Sequence, residues 1–506
     1  MSRTDLAANN AAMDHLLQSL ERWRPFRAMV VGDLMLDELL FGDAERLSAD
    51  APVPILHVKK REHRPGGAAN VCLDLVALKG EVIAIGVVGD DEPGKHLRGV
   101  LERHGVDASN LEVDASRPTT IKQNLIGLAQ ARHPQKMFRV DFESREELSA
   151  EVVQRVLARV REKIASVEVV CIEDYAKGVC TEALCQGVIE IARKAGKDVL
   201  VDPAKITSYA KYRGATSITP NRTEAEFATG LRTHGDGSAE HNTLLATRLQ
   251  QDHNLATVVL TLDRHGALLL EQGKAALAVP TVARKVYDVT GAGDMMLAAL
   301  AAARANGIDW PDSVRFANAA AGLEVEVFGV EPIPLEAVHR SILEQASKGL
   351  GKVRTLQQVV VEVNARRRAG QKIVFTNGCF DVLHAGHVAL LDQSADHGDY
   401  LIVGLNDDAS VKRLKGPTRP VNNQDDRAKV LAALGSVGAV VLFAEDTPMK
   451  LIEAVKPDVL VKGGDYTKER VVGADFVEKH GGTVALINLV EGKSTTNTIK
   501  KMQETR

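Results

Sequence analysis

The chain has 506 residues, beyond the size at which one hydrophobic core keeps growing, so two or three domains are expected. At 45% hydrophobic and 26% charged it has a globular composition, and a formal net charge of −4 argues against nucleic acid as the main partner. Five cysteines without a CxxC pair give no argument for a zinc or disulfide framework and suit reduced, buried thiols; no apolar run nears the ~18 residues of a membrane span, and the N-terminus lacks an apolar signal core. A cytoplasmic protein is expected.

Met13, Leu16, Leu17, Leu20 and Trp23 fall at helical spacing and predict a short amphipathic helix. Arg27–Asp33 then reads as a buried strand ending in a turn. Strand-like runs follow at Val82–Val88, Val167–Ile172, Val199–Val201 and Val258–Leu262, with helical stretches between them. This alternation predicts a mostly parallel sheet with helices on both faces. Ile55–Val58 and Thr120–Asn124 are β-like without helices and suit a small lid sheet. The alternation restarts after a helix through Leu356, Val359, Val360 and Val363, with strands at Ile373–Phe375, Tyr400–Leu405, Val437–Phe443, Val459–Lys462 and Val484–Leu489. The expected division is a first domain at 1–348, a linker with a leading helix at 349–373, and a second domain at 374–506.

Asp288-Val289-Thr290-Gly291-Ala292-Gly293-Asp294 carries the first chemistry. Gly291, Ala292 and Gly293 leave backbone N–H groups open at a helix start, where anionic charge is stabilised. Asp294 is placed to accept a hydroxyl proton while those amides hold a phosphoryl group. The alternative is an ordinary glycine turn with an aspartate cap. The segment resembles a signature of the ribokinase-like carbohydrate kinases, and Pro65-Gly66-Gly67-Ala68-Ala69-Asn70-Val71 resembles another. Between them, Asn221-Arg222-Thr223-Glu224 is similar to the family's Asn-x-x-Glu element, which handles Mg-nucleotide phosphates; a plain capping box has the same pattern.

That resemblance implies ATP as phosphoryl donor and Mg2+ near Glu224, directly or through water. It implies Asp294 as base, Gly291–Gly293 as anion hole, and Gly66, Gly67, Asn70, Asp33 and Asp37 on sugar hydroxyls. A phosphorylated sugar also needs cations, for which Lys59, Lys60, Arg64, Arg139 and Lys177 are candidates or else solvated surface charges. Ala204-Lys205 stands where the nearest relatives are expected to have Lys-Gly, which leaves that loop's lysine without an assigned role.

Gly378-Cys379-Phe380-Asp381-Val382-Leu383-His384-Ala385-Gly386-His387 carries the second chemistry. A strand feeding a loop with paired imidazoles at a helix start suits stabilisation of an α-phosphate and leaving pyrophosphate. The substrate's own phosphate then serves as nucleophile. The run resembles the cytidylyltransferase-like nucleotidyltransferases. Lys415 and Arg419 lie in a basic loop, Arg427 opens the next helix, Lys462 ends a strand, and Ser494 and Thr495 precede a last helix, in the family's order. Spacing alone does not choose between ATP and CTP.

The fold class expected is α/β: a ribokinase-like doubly wound sheet with a small β lid, then a Rossmann-like HxGH nucleotidyltransferase domain. The fusion resembles the bifunctional heptose-activating enzymes of lipopolysaccharide core synthesis. It implies phosphorylation of heptose 7-phosphate at C1 and adenylyl transfer to heptose 1-phosphate. It also implies sugar phosphates and ATP as partners, and a homodimer. The same two chemistries on another sugar, and a nucleotide-sensing scaffold without catalysis, are the competing readings.

Overall fold

The computed structural model describes residues 15–20, 22–128, 134–233, 237–281, 286–327, 329–350, 352–368, 370–464 and 467–487. The chain separates into two compact units, residues 22–338 and residues 339–506 grouped with 1–21.

In the first unit, a nine-stranded sheet runs in the order Leu277–Val279, Ala267–Glu271, Thr257–Thr261, Ser217–Ile218, Asp198–Asp202, Val169–Glu173, Phe26–Gly32, Gly80–Val88, Leu111–Val113. From Thr257–Thr261 onward neighbouring strands are parallel, while Ala267–Glu271 pairs antiparallel with both Thr257–Thr261 and Leu277–Val279. Ala28, Met29, Val30 and Val31 are all buried, because helices cover both faces and both sets of side chains need apolar partners. The helix Ala150–Lys163 shows the local logic. Ser149 caps it by accepting from Val152 N, Glu151 sits in its first turn, and Arg161 and Lys163 close it. Its Val153, Val156 and Leu157 pack into the same core as Met29, Val31 and Ile85. The helix Ala292–Ala305 is buried nearly throughout, and its run of alanines permits close packing in the interior.

Strand register positions the acids. Gly32 pairs with Glu173, and Glu173 with Asp202, so three strands end level. Asp33 N then donates to Glu173 O at 3.0 Å and Asp174 N to Asp202 O at 3.2 Å. Asp33, Glu173, Asp174 and Asp202 are thereby delivered to the carboxyl end of a parallel sheet, where ligands of such folds bind.

A four-stranded sheet in the order Pro54–Gly67, Leu34–Leu47, Thr120–Gly127, Gln135–Phe142 forms the lid, with its own small core of Leu39, Phe41 and Ile126. Leu34–Leu47 and Gln135–Phe142 were not expected from sequence. The second is exposed at nearly every position, so no buried face imposes an alternation on it.

The second unit holds a six-stranded, all-parallel sheet in the order Val353–Arg354, Ala439–Phe443, Tyr400–Asn406, Ile373–Gly378, Val459–Gly463, Thr483–Ile487. Separate apolar cores cover its two faces, one around Phe375 and Ile402, the other around Val374 and Val403. The chain order reverses on either side of Ile373–Gly378, so the second signature follows the strand at the topological switch point. The predicted strand at Val484–Leu489 is described as Thr483–Ile487; residues 488 and 489 lie outside the described residues. Among the described residues no helix is long and apolar enough to cross a membrane. All five cysteines are free thiols, four of them buried.

Candidate active sites

A cavity of about 400 Å3 lies in the first unit. The body contributes Asp294, Gly291 and Tyr175, and the lid contributes Lys122, Lys136 and Arg139. Asp294 stands in the first turn of its helix and is 4% exposed. Asn70 Nδ2 donates to its Oδ2 at 2.9 Å and the Tyr175 hydroxyl to its Oδ1 at 2.8 Å. Burial pushes its carboxyl up to about 6, against the hydrogen bonds of Asn70 and Tyr175 and the charge of Lys122. A carboxylate so placed is an oriented base that still ionises below neutrality.

Gly291 caps the helix in the left-handed region at φ 90, which glycine adopts without strain. Gly66 has a different reason: a Cβ there would sit 2.9 Å from the Asp37 carboxyl. Asp37 pairs across the lid with Lys122, and burial raises its pKa while Lys122 and Arg139 oppose the shift. Gly67 also lines the cavity. Burial lowers the pKa of Lys122, whose ammonium lies 4.3 Å from the Tyr175 ring. Lys136 Nζ reaches Asp288 Oδ2 and Thr290 Oγ1, both at 3.1 Å, so a lid strand touches the signature turn.

Two expected sugar contacts are occupied otherwise. Asp33 is 1% exposed and accepts from the backbone N–H of Tyr175, Lys177 and Val179, which shapes the loop carrying Tyr175. Lys177 is buried in an ion pair with Glu143. Of the other proposed cations, Lys59 pairs with Asp43 and Lys60 with Glu62, while Arg64 bonds Glu62 and the carbonyl of Val330.

Asn221 and Glu224 form the reciprocal capping box: Glu224 N donates to Asn221 Oδ1 and Asn221 N to Glu224 Oε2, each at 2.9 Å. Arg222 and Thr223 open the same helix. Burial raises the pKa of Glu224, with the Asn221 hydrogen bonds and the Lys205 charge working against it. Lys205 also lies 5.9 Å over the Phe227 ring, so the lysine after Ala204 stands near the predicted nucleotide element. Carboxylate oxygens of Glu173, Asp202 and Asp294 lie within 4.8 Å of one another, and among the described residues one buried Glu173 oxygen has no hydrogen-bond partner. Burial raises Glu173 and Asp202, and neighbouring acids raise them further.

In the second unit His384 is the N-cap of the helix Ala385–Ala395 and His387 lies in its first turn. Their rings stack at 3.9 Å. Burial, then the adjacent His384, pushes His387 down to about 4, so it is neutral at pH 7. Lys462, on the neighbouring strand, donates to Asn377 Oδ1 at 3.1 Å and is lowered by burial. Arg419 pairs with the buried Asp381, which also accepts from Val421 N at 2.6 Å and Asn422 N at 3.2 Å. Arg427, 2% exposed, bonds the carbonyls of Cys379, Asn406 and Asn422 and the carboxylate of Asp408. Both arginines thus brace the basic loop against the signature. Lys415 is exposed at the end of the helix Asp408–Lys415. Ser494 and Thr495 lie outside the described residues.

Sequence reasoning missed Tyr175, Lys122, Lys136, Glu173, Asp202 and Asp381. The acids and Tyr175 carried one usable signal, since they follow the ends of predicted parallel strands. The lid lysines had none, because lid register is set by tertiary pairing.

Residues 26–337 match the pfkB family carbohydrate kinases, and residues 375–495 match the cytidylyltransferase-like family. The chain is 44% identical over 484 residues to the bifunctional protein HldE of Geotalea uraniireducens, covering 95% of this chain and 96% of that protein. Bifunctional protein HldE of Methylobacillus flagellatus is 44% identical over 486 residues, covering 94% and 96%. Among solved structures, phosphofructokinase-2 from Escherichia coli in complex with potassium superposes with a TM-score of 0.51 at 20% identity, covering 63% of this chain and 99% of its own, which speaks for the fold. The chain belongs to the pfkB carbohydrate kinases and, with its nucleotidyltransferase domain, to the HldE family of bifunctional enzymes.

Proposed function

We propose that the first unit transfers the γ-phosphoryl group of ATP to the C1 hydroxyl of D-glycero-β-D-manno-heptose 7-phosphate. The second transfers AMP from ATP to D-glycero-β-D-manno-heptose 1-phosphate, giving ADP-heptose and pyrophosphate for the lipopolysaccharide core. The observation that carries this reading is the two-sided cavity of the first unit. One wall holds Asp294 and the amide turn; the other holds Lys122, Lys136 and Arg139. A neutral sugar needs the first wall alone, whereas a sugar phosphate also uses the second.

In the first step Asp294 takes the C1 hydroxyl proton, the C1 oxygen bonds to the γ-phosphorus, and ADP leaves. The amides of Gly291–Gly293 stabilise the transferred group, and Asn70 and Tyr175 hold Asp294 in line. Asp37, Gly66 and Gly67 face the sugar, and the lid cations hold its 7-phosphate. Asn221, Arg222, Thr223 and Glu224 serve the nucleotide phosphates. Glu224, whose charge acts on Asp202, together with Glu173 and Asp202, whose carboxylate oxygens lie within 4.8 Å of one another, would hold Mg2+; among the described residues one buried Glu173 oxygen has no hydrogen-bond partner. When bound, that ion neutralises phosphate charge.

In the second step an oxygen of the sugar 1-phosphate attacks the α-phosphorus and pyrophosphate leaves. His384, His387, Lys462 and Lys415 stabilise the spreading negative charge, while Arg419 and Arg427 brace the loop. Ser494 and Thr495 complete the phosphate contacts. The functional boundaries are 1–348, 349–373 and 374–506, in a cytoplasmic homodimer.

Phosphorus NMR of the full chain with heptose 7-phosphate and ATP tests the first step: a new anomeric phosphate signal is expected, and ATP hydrolysis without it removes the assignment. Heptose 1-phosphate with ATP or CTP tests the second. Pyrophosphate release with ATP is expected; preference for CTP overturns adenylyl transfer.

A further inference from the structure

Behind the anion-binding turn lies a carboxyl for which phosphoryl transfer has no use. Glu324 ends the helix Trp310–Glu324, is fully buried, and among the described residues neither of its oxygens has a hydrogen-bond partner. Its carboxyl packs against Gly291: a Cβ at 291 would run into Glu324 Oε1, with Val330 Cγ1 at 3.3 Å. Gly291 also lines the cavity, so one glycine separates Glu324 from the space where the phosphoryl group is transferred. Among the described residues the charged groups that reach Glu324 are both acids, Asp294 in the helix Ala292–Ala305 and Asp74 in the helix Ala68–Ala77. Asp74 is itself fully buried with one oxygen unpartnered.

A carboxyl with no donor and no cation among the described residues, and two acids for company, keeps its proton. Burial first, and the charge of Asp294 second, push Glu324 up to about 9. We propose that Glu324 is a positioning residue that must stay neutral for phosphoryl transfer: protonated it is an uncharged wedge behind the turn, and ionised it repels both the phosphoryl group and the Asp294 carboxylate. The role rests on the kinase reading above. It makes the first activity, and not the second, fail in alkali.

The test compares the full-length wild type with Glu324→Gln and Glu324→Leu, measuring kcat/KM of both activities from pH 6.5 to 10. Titration at about 9 gives the wild-type kinase about a tenfold loss by pH 10, while each variant loses less than about twofold. The transferase profile should be the same in all three proteins. An unchanged alkaline fall in either variant overturns the proposal. So does loss of kinase turnover at every pH in both variants while the transferase persists.

Thermal unfolding supplies a readout independent of turnover. A carboxyl whose folded pKa exceeds the unfolded value of about 4.3 loses stability as pH rises from there to its folded value. The Tm of Glu324→Gln minus that of wild type should therefore widen between pH 5 and 9. A gap that stays constant overturns the buried neutral acid. If wild type fails to phosphorylate the sugar, the kinase reading and the gating role fall together, while the Tm gap still reports the buried proton.

Discussion

The two candidate sites handle phosphate with opposite electrostatics. In the first unit, Asp294, Glu173, Asp202, Asp37 and Glu324 crowd one end of a sheet, and burial raises the pKa of each. In the second, burial lowers His387 and Lys462. The first must remove a proton from a neutral hydroxyl, which calls for a base. The second receives a phosphate that is already a nucleophile, so it needs donors and no base. Desolvation is common to both and favours the neutral form of each group. What differs is which group was placed there, and the difference follows the proton count of each reaction.

The strongest way to break the contrast is Asp294→Asn. Kinase kcat should fall about 10³-fold, with adenylyl transfer from the same protein unchanged. A kinase rate near wild type would mean that the first site uses another base. His387→Ala reverses the pattern, with about a 10²-fold loss of transferase kcat and an intact kinase. Loss of both activities would show one coupled machine.

The pH profiles sharpen the same comparison. Asp294 must be ionised to act, so kinase kcat/KM should climb about tenfold per unit below its pKa near 6 and level off above it until the alkaline fall ascribed to Glu324. His387, pushed down to about 4, should give the transferase no inflection between pH 5.5 and 8. An inflection near 6.5 there would mean that an ordinary histidine is titrating.

Lys122→Met should raise the kinase KM for sugar phosphate about tenfold, with a smaller effect on the KM for ATP. Equal change in both would place Lys122 on the nucleotide. Tyr175→Phe is the mildest change. Losing one hydrogen bond to the Asp294 carboxylate, about 1 kcal/mol, should cut kcat several-fold and move the acid limb upward by less than one pH unit. An unmoved limb would leave Tyr175 outside the control of Asp294.

Much of this was legible in the sequence where chemistry is local. Gly291-Ala292-Gly293-Asp294 must open a helix, and the paired histidines must stand beside one, because capping and phosphate binding are decided within a few neighbouring residues. Continuous apolar runs such as Ala28–Val31 announced strands covered on both faces. The capping box that Asn221 and Glu224 could form was also local, and it is present.

The remainder waited on tertiary structure. Asp33 accepts from the backbone of the loop carrying Tyr175 and Lys177 pairs with Glu143, contacts made between distant segments. Arg419 pairs with Asp381 and Arg427 bonds the carbonyl of Cys379, contacts that no local pattern announced. Sequence alone determined which chemistries the chain carries and the order of its domains, because those are written in short motifs. Only the tertiary structure decided which charges face the substrate and which are spent on their neighbours. Pairing and burial, not residue type, set the free energy of each charge, and both arise between segments far apart in the chain.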